Sequence, residues 1–587
     1  MSRACVIVVM AVATGACSSP PQAVPRRPPI TEPRAKPGAV TLTIIGTNDL
    51  HGAIERLPIF GGYMANLRAA RAKDGGGVVL VDAGDMFQGT LESNLAEGAD
   101  VVRAYNQLGY AAAAVGNHEF DYGPVGPQVT ASSIEDDARG ALKARAREAK
   151  FPLLAVNIVD KKSGARIKWP NMPASVMVTA AGVKVGIIGA STESTPFTTM
   201  PANFADLAIA APAQAIADEA KALRGQGAQL IVVTAHIGSA CKDLDHPADT
   251  SSCNKSEELF RMIAGLPKGV VDVIVAGHTH AGIAHRIDDI AVIESFSNGR
   301  AFGRIDLRIA PDGHITSVKL HKPRALCEGE AEGNPIPAAE CKPGDYEGAP
   351  VFVDREVAVI ATDAMTRALK RRNEKLGVAL TGVVAKSYGS ESAVGNLFTD
   401  LMLAARPDAQ VALTNGGGLR ADLPAGDLTY GQLYEAMPFD NRFAIVDVKG
   451  SDLRRLVTTN LQRGGGILSW GGLVAKARCK GSSLDVAITV GKKPLADGAA
   501  YKVVTSDFLA SGGDGLIGRL KLPDGAIKMT DVIIRDAIAD VLRKRKGTKI
   551  DPDKLYAPAV RRLDYEGNRP VECGKLAGKK PDPEPPD

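Results

Sequence analysis

Apolar, β-branched runs closed by a polar cluster recur five times in the first half of the chain: Leu42 to Ile45, Val78 to Val81, Ala111 to Val115, Leu230 to Val233 and Val271 to Ala276. Short continuous runs of this kind read as strands buried on both faces. The alanine- and Lys/Arg-rich segments between several of them, such as Ala138 to Lys150 and Ala213 to Leu223, read as helices that cover those faces. The pattern predicts an α/β layered architecture. In the second half, an alanine- and leucine-rich helix begins at Glu391-Ser392-Ala393-Val394-Gly395-Asn396-Leu397, and Val411 to Leu413 reads as a strand. Between the halves, Cys327 to Pro350 is rich in Gly, Pro and Glu and reads as a surface loop, and Val357 to Lys375 reads as a helix with a basic end.

The residues that close the five runs change the picture from fold to chemistry. They are Thr47-Asn48-Asp49-Leu50-His51, Asp82-Ala83-Gly84-Asp85, Gly116-Asn117-His118-Glu119-Phe120-Asp121, Thr234-Ala235-His236 and Gly277-His278-Thr279-His280. Each carries Asp, Asn or His. Ligands of open α/β sheets bind beyond the carboxyl ends of the strands, so clusters far apart in sequence are expected to meet there. Of the 9 histidines, five fall in these clusters and none follows His321. Any one cluster is explained by a cap or a turn. Five together point to a shared metal site. The candidate ligands Asp49, His51, Asp85, Asn117, His236, His278 and His280 include no thiolate, which suits Zn, Mn, Co, Ni or Fe. They outnumber the ligands of one tetrahedral ion, so two ions are expected, with a carboxylate such as Asp85 able to bridge them. Phosphoryl ester hydrolysis is the reaction class that most needs such a pair.

Charge and composition remove other classes. With 70 Lys and Arg against 66 Asp and Glu, the net charge is +4, far from the basic excess of a nucleic-acid binder. A mean hydropathy of −0.02 is too polar for a polytopic membrane protein. The amino terminus is different. Arg3, the apolar run Val6 to Ala13 and Thr14-Gly15-Ala16-Cys17 resemble a bacterial lipoprotein signal, which implies cleavage before Cys17, a lipid on its sulfur and a location in the cell envelope, facing the periplasm or cell surface. The proline-dense stretch to Pro37 reads as a tether. Of 8 cysteines, six remain for the body. Outside the cytoplasm they favour disulfides, with neighbours suggesting Cys241 with Cys253, Cys327 with Cys341 and, by elimination, Cys479 with Cys573.

Asp-x-His, Gly84-Asp85-x-x-x-Gly89, Gly-Asn-His-Glu-Phe-Asp, the lone histidine after a strand and Gly-His-x-His resemble the calcineurin-like metallophosphoesterases. The phrase from Gly116 to Gly123, with Asn415-Gly416-Gly417-Gly418-Leu419-Arg420, Ala436-Met437-Pro438-Phe439 and Asp507 to Gly515, resembles the exported bacterial 5′-nucleotidases, whose family includes UDP-sugar hydrolases and 2′,3′-cyclic phosphodiesterases. The resemblance implies a four-layer α/β/β/α sandwich followed by a C-terminal α/β domain, joined by a linking helix on which the domains rotate. It implies that Asp49, His51, Asp85 and His280 hold one ion and that Asp85, Asn117, His236 and His278 hold the other. It assigns His118 and Asp121 as a catalytic dyad, Asn415 and Arg420 as phosphate contacts, Phe439 and Phe508 as a clamp on the base, and Asp514 as acceptor for the ribose hydroxyls. It departs at Lys386-Ser387-Tyr388-Gly389-Ser390, where family members carry an arginine, leaving Arg420 as the clear cation of the phosphate cage.

The expected organisation is a signal peptide at 1–16, a lipid-anchored tether at 17–39, the metallophosphoesterase domain at 40–325, a disulfide loop and linking helix at 326–375, a nucleotide-binding domain at 376–570 and a tail at 571–587. The expected activity is hydrolysis of nucleoside 5′-monophosphates by in-line attack of a metal-bound hydroxide. Cyclic nucleotides, UDP-sugars or a thiosulfohydrolase-like sulfur ester are the alternative substrates for the same site, and a lipid-anchored binding protein is the non-enzyme alternative.

Overall fold

Strands that are apolar on both faces need cover on both, and the first half of the chain provides it with two stacked sheets flanked by helices. The computed structural model describes residues 38–330 and 336–574; the expected leader, Cys17, the tether up to residue 37 and the tail beyond 574 lie outside the described residues. One six-stranded sheet runs in the order Ile315–Ala325, Ala301–Ile309, Val40–Thr47, Gly77–Asp82, Ala112–Ala114, Leu153–Leu154. The other runs Gly282–Ile287, Ile290–Ser295, Val273–Ala276, Leu230–His236, Val183–Ser191, Ser175–Ala180. Leu42, Ile44, Val79 and Val81 of the first meet Ile187, Val232, Val275 and Ile293 of the second in a dry layer between the sheets. Helices Leu57–Asp74 and Ala99–Leu108 bury Tyr63, Met64, Val102 and Tyr105 against the outer face of the first sheet. Helices Pro212–Gly225 and Glu258–Ala264 bury Ile216, Leu223, Leu259 and Met262 against the second. The result is four layers, α/β/β/α.

The five strands that the hydrophobic pattern singles out do not share one sheet. The first three lie in one and the last two in the other. Their clusters therefore meet across the rim of a sandwich, not along the edge of a single open sheet. Parallel pairing keeps the carboxyl ends together within each sheet: Thr47 is opposite Asp82, and Ser191 is opposite His236. Hydrogen bonds then close the rim between sheets, from Thr234 Oγ1 to the Asp82 carbonyl at 2.6 Å and from Ser191 Oγ to the Val115 carbonyl at 2.6 Å.

The second half is built on a five-stranded mixed sheet in the order Leu468–Gly471, Val411–Asn415, Ala500–Ser506, Arg442–Lys449, Ile527–Ile533. Alternation along its strands feeds two cores. Ala412, Ile445 and Val504 pack with helices Ala393–Ala405 and Ile534–Lys544, whereas Val411, Leu413, Val446 and Val503 pack with helix Gly450–Leu461. The helix expected at Val357 to Lys375 spans Arg355–Arg372, capped by the Asp354 carboxylate; Lys375 instead opens the strand Lys375–Leu380. Val357, Ala361 and Ala364 of this helix belong to the core of the first half and Ala368 to that of the second. Arg372 at its end pairs with Glu92 of the first half and, at 2.7 Å, with Glu435 of the second. All three expected disulfides form: Cys241–Cys253, Cys327–Cys341 and Cys479–Cys573.

Candidate metal centre and substrate cleft

Turns that must aim polar side chains inward while leaving a strand have few backbone options, and this rim uses the left-handed region. Asp49 (φ 50°), His51 (48°), Asp85 (56°), His278 (81°) and His280 (59°) all have positive φ, a conformation that costs a non-glycine residue about 1 to 3 kcal/mol and survives only where surroundings enforce it. Enforcement is visible. The amides of Asp49, His51 and Gly52 donate to the carbonyls of Gly84, Asp85 and Met86, each at 3.0 Å, locking the first two turns together. Glu119, buried, accepts from the amides of Asp85 (2.9 Å), Met86 (2.7 Å) and Gly116 (2.7 Å) and locks the second turn to the third. Gly116 is required there, since a Cβ would lie 2.2 Å from Asp85 Oδ1.

Six of the seven candidate ligands converge in two adjoining groups, and the seventh, Asn117, lies beside the second. Asp49, His51 and His280 form one and Asp85, His236 and His278 the other, the ligand atoms of each lying within 4.8 Å of one another. His51 Nδ1 sits 2.9 Å from the Gln88 carbonyl and His236 Nδ1 2.8 Å from the Ala83 carbonyl. A carbonyl only accepts, so each ring carries its proton on Nδ1 and turns the Nε2 lone pair inward. His51 Nε2 faces His280 Nε2 at 3.0 Å, and His236 Nε2 faces Asn117 Oδ1 at 3.0 Å and Asp85 Oδ2 at 3.1 Å. Asp85 Oδ2 is also 3.9 Å from His51 Nε2, which places it between the groups.

Ligand atoms crowded this closely need either protons or a cation between them. Asp49 Oδ1 is buried and has no hydrogen-bond partner among the described residues, its nearest imidazole nitrogen being His280 Nε2 at 3.4 Å. Burial disfavours charge on His236, yet the adjacent Asp85 carboxylate outweighs it and pushes the imidazole up to about 10. His278 is pushed down to about 3, by burial and by the neighbouring His236. The carboxylates thus demand positive charge, and divalent ions satisfy them in place of protons. The donor set of carboxylate, imidazole and amide oxygen fits such ions.

Beside these groups, His118 Nδ1 is 2.5 Å from Asp121 Oδ2, while Asp121 Oδ1 accepts from Thr199 Oγ1 (2.9 Å) and the Met200 amide (3.1 Å). Burial opposes charging of His118, but Asp85 and Asp121 overcome it and raise its pKa above the ordinary value. The fixed carboxylate holds the ring with Nε2 turned toward Asp85, 4.0 Å away.

The second half reaches this rim directly. Arg420 Nη2 lies 3.3 Å from His51 Nε2, and the Phe439 ring lies 5.3 Å from the His118 ring, centroid to centroid. Asn415 ends the strand Val411–Asn415 and its side chain hydrogen-bonds Asp514, which burial pushes above the usual carboxylate range. Phe508 packs over Gly513, where a Cβ would meet its ring at 2.5 Å. No ring contact joins Phe439 and Phe508 among the described residues. Lys386 donates its amide to Asp422 Oδ1 at 2.7 Å, and the half-exposed Tyr388 lies over the triple-glycine turn, its ring 3.7 Å from a Cβ placed on Gly417.

Sequence reading passes over Glu119, which sits inside a quoted motif but acts through three backbone amides. It also passes over Ser194, whose Oγ is 3.2 Å from His278 Nε2. Ser194 follows the strand Val183–Ser191, an apolar run closed by Ser-Thr-Glu-Ser, which lacks the His, Asp or Asn that closes the other five runs.

Residues 42–282 match the family model for calcineurin-like phosphoesterase, and residues 372–520 match that for the 5′-nucleotidase C-terminal domain. Protein UshA of Yersinia enterocolitica is 26% identical over 518 residues, covering 81% of this chain and 86% of its own. Human 5′-nucleotidase is 27% identical over 546 residues, covering 81% and 84%. The crystal structure of a 5′-nucleotidase precursor from Thermus thermophilus shares the fold, with a TM-score of 0.68 at 24% identity over 89% of this chain and 99% of that one.

Proposed function

The chain belongs to the family that joins a calcineurin-like phosphoesterase to a 5′-nucleotidase C-terminal domain, and on that premise we propose that it is an exported 5′-nucleotidase, releasing phosphate from nucleoside 5′-monophosphates. As a member it is a metal-dependent phosphoester hydrolase. The observation that carries the substrate reading is the meeting of Arg420 and Phe439 with His51 and His118: a phosphate cation and an aromatic face from one half stand against the candidate metal groups of the other. In this reading the substrate's phosphate is bound by Arg420 beside the candidate metal groups, with its nucleoside turned toward the second half.

In this reading Asp49, His51, Asp85 and His280 hold one ion and Asp85, Asn117, His236 and His278 the other. Two such ions would acidify a water and neutralise phosphoryl oxygens. The chain's own groups do the rest. His118, whose pKa is raised by Asp85 and Asp121 against burial, faces the charge that develops on the phosphoryl group or the leaving oxygen, and Asp121 fixes its ring. Arg420 offers a planar fork to the phosphate. Phe439 and Phe508 hold the base, Asn415 joins Arg420 at the phosphate, and Asp514 accepts from the ribose hydroxyls. Base stacking is tolerant of the base, so several nucleotides should be used.

The signal-like residues up to Cys17 and the three disulfides support export, with the lipid on Cys17 as the anchor. No helix of the described residues is long and apolar enough to cross a membrane. The deciding experiment measures product release from AMP, a 2′,3′-cyclic nucleotide, a UDP-sugar and a sulfur ester with Mn, Zn, Co or Ni supplied. AMP should have the highest kcat/KM, by about tenfold or more, and chelation should abolish turnover. A higher value on any of the other three rejects the reading.

A further inference from the structure

Phe439 closes the loop that follows helix Tyr430–Ala436, is only partly buried, and still meets His118 across the two halves. A ring on a surface loop needs something to aim it. Beneath the loop lies Arg535, the second residue of helix Ile534–Lys544, with 3% of its surface exposed. Its Nη1 donates to the main-chain carbonyls of both Met437 (3.0 Å) and Phe439 (3.1 Å), its Nε donates to the Tyr430 hydroxyl (3.2 Å), and its Nη2 pairs with Asp440. The guanidinium carbon also stands 3.9 Å from the centroid of the Tyr434 ring. Every nitrogen of this buried cation is thus engaged, and of its hydrogen bonds all but the one to Tyr430 grip residues 437–440.

The two carbonyls held by Nη1 straddle Pro438, whose own φ is fixed by its ring. Clamping both sides of a residue with one frozen torsion leaves little freedom at the Cα of Phe439. The apolar face of the helix, meanwhile, is anchored independently by Ile534, Ile538, Ala539 and Leu542 in the core. The guanidinium contacts are therefore separable from the packing of the helix that carries them.

We propose that Arg535 is a positioning residue for substrate: without touching the nucleotide, it sets the Phe439 ring over the His118 side of the cleft and so determines how tightly a nucleobase is held there. The proposal rests on the reading that Phe439 stacks the base. A lysine cannot stand in, because an ammonium on a flexible stem cannot serve two carbonyls, a hydroxyl and a carboxylate in a fixed planar fork.

The test uses the metal-loaded protein with two substrates, AMP and bis(4-nitrophenyl) phosphate, which lacks a purine. Arg535→Lys should raise the KM for AMP about tenfold, the scale of one lost stacking contact, with kcat changed by less than about threefold. The fall in kcat/KM should be at least about fivefold larger for AMP than for the aryl ester. In a Phe439→Ala background the same substitution should add less than about twofold, since the ring it aims is gone. Equal losses on both substrates, or an unchanged KM for AMP, overturn the proposal. A Phe439→Ala variant with an unchanged KM for AMP removes the stacking premise itself, so the two failures are told apart. Should Arg535→Lys fail to fold, Asp440→Asn is measured instead: a rise in KM for AMP of about threefold, absent from the aryl ester, supports the assignment, and no difference between the substrates overturns it.

Discussion

The two carboxylates among the candidate metal ligands behave in the opposite way to the buried acids on the other wall of the cleft. On the metal wall, burial alone would raise Asp49 and Asp85, yet His280 and His236 hold Asp49, and His236 and His118 hold Asp85, well below the ordinary carboxylate range. On the nucleoside wall, burial wins: Asp507 is pushed up to about 6, and Asp514 is raised although Arg463 and Asn415 oppose it. The first wall is organised around fixed charge that a cation must match. The second is organised around hydrogen bonds and apolar faces, which suits the neutral hydroxyls and rings of a nucleoside. Under the proposed function, one wall would take the charge of the substrate and the other its identity.

Substitutions on the two walls should accordingly fail differently. Asp85→Asn has the largest expected effect, since it removes the carboxylate that lies between the two ligand groups: turnover on AMP should fall by about a thousandfold, and metal analysis should find fewer ions per chain. Retained metal content and near-normal turnover would break the comparison. His118→Ala should keep its ions and still lose about a hundredfold in kcat, the scale of a lost acid or electrostatic group, so metal content and rate separate the dyad from the ligands. The smallest effect belongs to the nucleoside wall and concerns stability. Asp507 has a folded pKa near 6 against an ordinary 3.8, so the folded state binds the extra proton and stability declines as pH rises from about 4 through 6. Asp507→Asn should therefore match the parent in thermal denaturation at pH 4 and exceed it at pH 7.5, by on the order of 2 kcal/mol. A gain that is equal at both pH values would refute the assignment of Asp507 as a buried, neutral-preferring acid.

Much of the metal wall is legible in the sequence because its residues obey a positional rule. Asp49, Asp85, Asn117, His236 and His278 each follow a strand whose apolar run announces it, and the shortage of histidine elsewhere makes the coincidence visible. Glu119 escapes such reading because its partners are amides, which every residue carries. Arg535 escapes for another reason: it stands 96 residues beyond Phe439, on a helix whose periodicity advertises only its apolar side. The helix between the halves is legible in its pattern to within a few residues. Its end at Arg372, by contrast, reflects where the backbone turns into the strand Lys375–Leu380.

Sequence by itself determined which segments become buried strands, which polar residues stand at their ends and which cysteines pair, since each of these follows from local composition and spacing. Tertiary structure alone decided that the strands divide between two sheets, that five ligand candidates adopt left-handed backbone, and that a loop ring from the second half comes to lie against His118 of the first. Such features depend on contacts between residues tens to hundreds of positions apart, and no local pattern encodes a distance across a cleft.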